Sequence, residues 1–192
     1  MSRPERERQM LDMAEEVFAE RGFRAAAMDE IAERCGVSKP MLYEYFGSKD
    51  GLLQACMARS KAELYAVTQR AMADGTSAED VLLRGMVAYF EFIDAHAPTF
   101  ALLMRQPVDT PPAAVEAVED TRRQQSELIA GGIRLFAPGA PEATVLAYTE
   151  IIIGGCERLA LWRTQHPEVT ARDAARHMTD FCRQGLAPFM AG

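Results

Sequence analysis

Residues Gly36–Leu53 read GVSKPMLYEYFGSKDGLL, and this stretch decides the fold. Gly36 supplies a left-handed turn. Ser38 is placed to cap the helix that follows, and Pro40 falls in its first turn, where backbone amides have no intrahelical partner to lose. Ser48 then caps another helix. Upstream, Asp29 and Glu30 sit in the first turn of a short helix from about Met28, where they complement the helix dipole. Two short helices joined through Ile31-Ala32-Glu33-Arg34-Cys35-Gly36-Val37-Ser38 form a helix-turn-helix. Ala32 is small where the helices must approach closely. Ile31, Cys35, Val37, Leu42 and Phe46 have the spacing of the small core behind them, which makes Cys35 a core thiol and not a reactive one.

The front of the third helix is left facing outwards. Ser38, Lys39, Pro40 and Met41 lie at its N-terminal end, the end that a recognition helix points into the major groove. Lys39 can donate to guanine O6 or N7, and Pro40 and Met41 offer apolar contact suited to a thymine methyl. Tyr43 and Tyr45 can give phenolic hydroxyls to phosphates, a contact that fixes register without adding net charge. Packing is the alternative role for both rings. Ser48-Lys49 opens the next helix, so that amides, dipole and an ammonium converge where a phosphate would bind.

The string VFAERGFRAAAMDEIAERCGVSKPMLYEYFGSKDGLL resembles the DNA-binding domain of the TetR (tetracycline-repressor-like) family, and the likeness is close over residues 8–53. The resemblance implies a helix-turn-helix domain over 1–48 and a helical ligand-binding and dimerisation domain over 49–192. It further implies a homodimer on a palindromic double-stranded DNA operator, released by a small-molecule effector. Phosphate and base contacts carry over to Lys39, Pro40, Met41, Tyr43, Tyr45 and Lys49. Two departures stand out. Ala26-Ala27 occupy the place where many relatives have a Ser or Thr that caps the second helix and touches a phosphate, so one contact is expected to be missing. Glu44, inside the recognition helix, would be repelled by a phosphate, although a glutamate can accept from cytosine N4.

Charge sets the expected strength of binding. The 192-residue chain carries a formal net charge of -7, and an acidic balance argues against a protein that holds DNA by a broad basic patch. Residues 1–50 hold 8 Lys/Arg and 11 Asp/Glu. Most of these acids are on the first helix and in the first turn of the second. Weak non-specific binding is therefore expected, with specificity resting on a few geometric contacts per half-site. The four cysteines (Cys35, Cys56, Cys156, Cys182) form no CxxC pair, which suits reduced thiols of a cytoplasmic protein. MSRPERERQML has no apolar export segment, and Glu150, Glu157 and Arg158 interrupt the most apolar stretch, so neither export nor a membrane span is expected.

Elsewhere the pattern is helical throughout, an all-α chain of about nine helices. Met10, Leu11, Ala14, Val17 and Phe18 recur at helical spacing from Pro4, with Gly22 as a stop. A long fourth helix runs from about Lys49 to Met72, and Asp74-Gly75-Thr76 breaks the chain, which makes it the candidate domain boundary along the helical pattern. Ser77-Ala78-Glu79-Asp80 opens a fifth helix through Ala95, and Pro98 and Pro107 bound a sixth. The seventh runs from Pro111-Pro112 to Ala137, and the eighth from Pro141 to about Gln165. Thr170-Ala171-Arg172-Asp173 caps the last, with Ala174, Met178, Phe181 and Cys182 on one face.

Met86, Tyr89, Phe90, Ile93, Phe100, Leu103 and Met104 offer an adaptable Met- and aromatic-rich lining for a largely apolar effector, or equally an ordinary core. Arg105, Gln125 and Tyr148 can orient a polar group of such a ligand or serve structure alone. Gly131-Gly132 and Gly154-Gly155, inside helices, suggest close helix approach or a kink. Leu159, Trp162, Met178, Phe181 and Leu186 read as the faces of an intersubunit four-helix bundle. No cofactor or metal is expected, and an enzyme is the rival class. The three histidines have no ligand spacing, and neither a phosphate loop nor GxSxG occurs. Cys156, in GGCERLAL, superficially resembles a nucleophile but reads as a core thiol. A ligand-independent DNA-binding protein is the other alternative.

Overall fold

The computed structural model describes residues 2–97 and 112–189, and the side chains of all of these but Ala78 and 112–121. Every regular element among them is helical: α1 (Arg3–Ala25), α2 (Met28–Cys35), α3 (Lys39–Phe46), α4 (Lys49–Ala73), α5 (Ala78–Ala95), α6 (Pro112–Phe136), α7 (Glu142–Arg163) and α8 (Ala171–Leu186), closed by a 3-10 turn over Ala187–Phe189. The chain is all-α. The helix expected between Pro98 and Pro107 lies outside the described residues.

The described residues divide into two compact units, one built on Met1–Ala62 and the other on Glu63–Ala95 with Asp120–Gly192, so that the division falls within α4. In the first unit, Met10, Leu11, Ala14, Val17 and Phe18 of α1 are buried against Met28, Ile31, Ala32 and Cys35 of α2, Leu42 of α3, and Leu52, Leu53 and Cys56 of α4. Burying such side chains contributes roughly 1.5–3 kcal/mol each, so α1 and α4 form a platform for the two short helices. The regular helix breaks at Gly22 as expected: Gly22 is non-helical (φ 73°) and kinks the chain, and a short helical turn follows to Ala25, with the amide of Ala26 donating to the Gly22 carbonyl at 3.1 Å.

In the second unit α5 and α7 both pack on α8. Ala174, Met178 and Cys182 of α8 are buried, but Phe181 is not on that face and is 55% exposed. It lies one residue, about 100°, from Cys182 on the helix. Close approach is seen at Gly155, where a Cβ would stand 3.0 Å from Met178 Cε, and not at Gly131, Gly132 or Gly154. The thiol of Cys156 donates to Met86 Sδ at 3.5 Å, and burial pushes it up to about 12, which makes it an inert core thiol. No helix among the described residues is long and apolar enough to cross a membrane.

Candidate nucleic-acid interface

α2 ends in a Schellman arrangement. The Gly36 amide donates to the Glu33 carbonyl and the Val37 amide to that of Ala32, both at 3.0 Å, with Gly36 at φ 66°. This turn aims α3 outwards. Ser38 caps α3 by accepting from the Met41 amide at 3.4 Å, and Pro40 lies in the first turn. Ser48 accepts from the Gly51 amide at 2.9 Å at the start of α4. Gly51 is required there, because a Cβ at this position would run into the carbonyl oxygen of Phe46.

The candidate contacts separate into two groups. Ser38, Lys39 and Pro40 are exposed, and so is Tyr43, at 42%. Met41 and Tyr45 are half-buried and pack on the core. Arg6 lies 3.7 Å from Met41 Sδ, and the Arg3 guanidinium stands 5.1 Å above the Tyr45 ring. The start of α1 therefore adds two cations beside α3, which helical periodicity alone gives no reason to single out. Lys39 is ion-paired with Asp29 at 2.9 Å, and this holds its ammonium above the usual lysine range. Lys49 is placed differently. Its Nζ donates to the carbonyls of Phe23 at 2.8 Å, Arg24 at 3.2 Å and Ala26 at 3.0 Å.

Behind this face, Arg34 donates to Glu20 at 2.6 Å and to Glu30 at 2.7 Å, and Arg21 reaches Glu30 at 3.2 Å. The Arg34 guanidinium, with Arg21 beside it, holds the Glu30 carboxyl below the usual carboxylate range. These acids are occupied in joining α1 to α2. Ala27, at the N-cap of α2, provides no side-chain bond.

Among the candidate effector residues, Met86, Phe90 and Ile93 are buried along α5, and Tyr89 stands edge-on to Phe90 at 5.2 Å. Gln125 is half-buried on α6. The Tyr148 hydroxyl already donates to the Gly185 carbonyl at 3.0 Å. Phe100, Leu103, Met104 and Arg105 lie outside the described residues. Of the candidate interface residues, Trp162 is 41% exposed and Leu159 half-buried, whereas Met178 and Leu186 are 7% and 8% exposed. The last two are spent on the core of their own chain and have little surface to offer a partner.

A helix-turn-helix with an exposed recognition edge, mounted on an all-α chain, defines a class of DNA-binding regulators. Residues 10–56 match the model of the bacterial regulatory proteins of the tetR family, and residues 78–185 match the tetracyclin repressor-like C-terminal domain. The chain belongs to the TetR family of transcriptional regulators. It is 35% identical over 150 residues to the HTH-type transcriptional activator FasR of Mycolicibacterium smegmatis, covering 72% of this chain and 68% of that one. A crystal structure of a TetR-like transcriptional regulator from Rhodococcus sp. RHA1 is 32% identical and superimposes with a TM-score of 0.79, covering 97% of this chain and 98% of the other. The fold is also shared, at 14% identity and a TM-score of 0.80, with FadR of Bacillus subtilis in complex with stearoyl-CoA, over 93% of this chain and 98% of that one.

Proposed function

We propose that this protein is a cytoplasmic, one-component repressor that binds a palindromic operator as a homodimer and leaves it when a small, largely apolar molecule binds its C-terminal domain. The observation that carries this reading is the exposed edge Ser38-Lys39-Pro40 with Tyr43, which stands outside the core that packs the helix-turn-helix. Residues 1–48 read DNA, and residues 49–192 dimerise and sense. Lys39, Pro40 and Met41 contact bases; Ser38, Tyr43 and Tyr45 contact phosphates, with Arg3 and Arg6 at the margin. Met86, Tyr89, Phe90 and Ile93 are the described part of the proposed effector lining.

Release works through two states. Effector binding favours a dimer in which the α4 helices have swung and the two recognition helices no longer stand about 34–36 Å apart, one turn of B-DNA. A coupling of about 1–3 kcal/mol is enough to lower affinity roughly 5–150-fold. Stearoyl-CoA is the ligand of the Bacillus subtilis protein. For this chain the reading stops at a small, mostly apolar effector. Catalysis has no part in it. Selection of bound sequences from random duplexes, followed by a screen for small molecules that release the selected DNA, tests the reading. A palindromic consensus is expected, and a protein that enriches no sequence is not this regulator.

A further inference from the structure

Lys49 stands first in α4, directly after the recognition helix, where a phosphate contact is the obvious role for a lysine. Its surroundings give it another. An ammonium has three N–H donors, and here three carbonyls lie within bonding distance: Phe23 at 2.8 Å, Arg24 at 3.2 Å and Ala26 at 3.0 Å. These carbonyls are at the end of α1, beyond the break at Gly22, where a helix leaves acceptors without partners of its own. The ammonium also lies 4.6 Å from the centroid of the Phe23 ring, and Phe23 in turn packs on buried Phe18 at 5.7 Å. To reach a phosphate, Lys49 would have to abandon all three acceptors and the ring at a half-buried corner.

We propose that Lys49 is a positioning residue: it ties the start of α4, and with it the end of α3, to the α1–α2 corner, and it makes no phosphate contact. The assignment rests on the DNA-binding reading above. It does not replace the cap that α2 lacks: Ala26-Ala27 bring no hydroxyl to accept from the first amides of α2, and Lys49 holds the Ala26 carbonyl, an acceptor on the other side of that junction. The recognition helix is thus fixed at its N-terminal side by the Gly36 turn and at its C-terminal side by Lys49.

Two variants of the full-length protein separate the roles. Lys49→Met keeps the aliphatic stem over Phe23 and removes the donors; Lys49→Arg keeps the charge and restores donors. Each is compared with the wild type by amide hydrogen exchange at Ala26 and Ile31, and by titration of a 30-base-pair duplex carrying the selected operator sequence over a series of KCl concentrations. In Lys49→Met, exchange at the corner should accelerate and affinity fall roughly tenfold while the salt slope stays that of the wild type. Lys49→Arg should recover most of both. A slope lower by about one unit means that a phosphate contact was lost and overturns the proposal. So does faster exchange with affinity unaltered, which would leave Lys49 a structural residue only. If the wild type itself fails to bind the duplex, the DNA-binding reading falls, and unaltered exchange in Lys49→Met would then overturn the corner tie as well.

Discussion

Lys39 is already paired in the free chain. Its ammonium is 2.9 Å from Asp29, with both side chains well exposed, and such a solvent-screened pair contributes little. A guanine edge can therefore draw the ammonium away at small cost. Lys39→Ala should relax the preference at one position per half-site by roughly 1–3 kcal/mol, read by selecting sites from random duplexes beside the wild type. Asp29→Asn should keep the consensus and tighten binding to it. Tyr43→Phe should weaken binding on every sequence alike, since a phenol on a phosphate carries no base preference. An unaltered consensus from Lys39→Ala would make Lys39 a phosphate contact. Ser38 and Pro40 were legible from sequence because cap and proline positions are local rules. The environment of Lys49 was not, because its acceptors are main-chain carbonyls 23–26 residues away that every sequence possesses.

At the scale of single elements, the signals that succeeded are those closed within four residues. Thr170 and Asp173 form a reciprocal capping box on α8: the Asp173 amide donates to the Thr170 hydroxyl at 3.1 Å and the Thr170 amide to the Asp173 carboxylate at 3.2 Å. The bonds from the side chain and backbone of Thr170 hold the Asp173 carboxyl below the usual aspartate range. A carboxyl lowered by folding contributes stability that is present above its unfolded pKa of about 3.9 and disappears as pH falls through the folded value. Asp173→Asn should therefore lower Tm near neutrality, with the difference from wild type narrowing below about pH 4. A pH-independent difference would mean that the charge is not what is lost. Thr170→Ala should cost about 1 kcal/mol near neutrality and less below about pH 4, because it removes the hydroxyl that bonds the Asp173 carboxylate. Gly51 marks what local rules miss. Its close contact is with Phe46 in the preceding element, and Gly51→Ala should cost roughly 1–3 kcal/mol by forcing the α3–α4 junction apart, measurable by urea unfolding.

For the molecule as a whole, the oligomer is where sequence reading reached furthest beyond what one chain can display. An apolar helix position is equally suited to the chain's own core and to a partner, and only burial separates the two. Met178 and Leu186 turned out to be core, with a Cβ at Gly155 falling 3.0 Å from Met178 Cε. Trp162 and Phe181, at 41% and 55% exposed, remain as surface apolar groups on α7 and α8, joined by Leu146 and Ile151 on α7. The Trp162 indole is stacked on His166 at 4.1 Å, which orders a ring that faces solvent. A charge at such a position costs little in one chain but a great deal in an interface that excludes water. Trp162→Glu and Phe181→Glu should therefore yield folded monomers by sedimentation velocity, with little affinity for the selected operator. Met178→Glu should behave oppositely. It buries an unpaired carboxylate and should unfold the C-terminal unit before any question of dimerisation arises. If Trp162→Glu and Phe181→Glu both remain dimeric at micromolar concentration, the interface lies on other helices, and the operator geometry proposed for this regulator must be rebuilt from there.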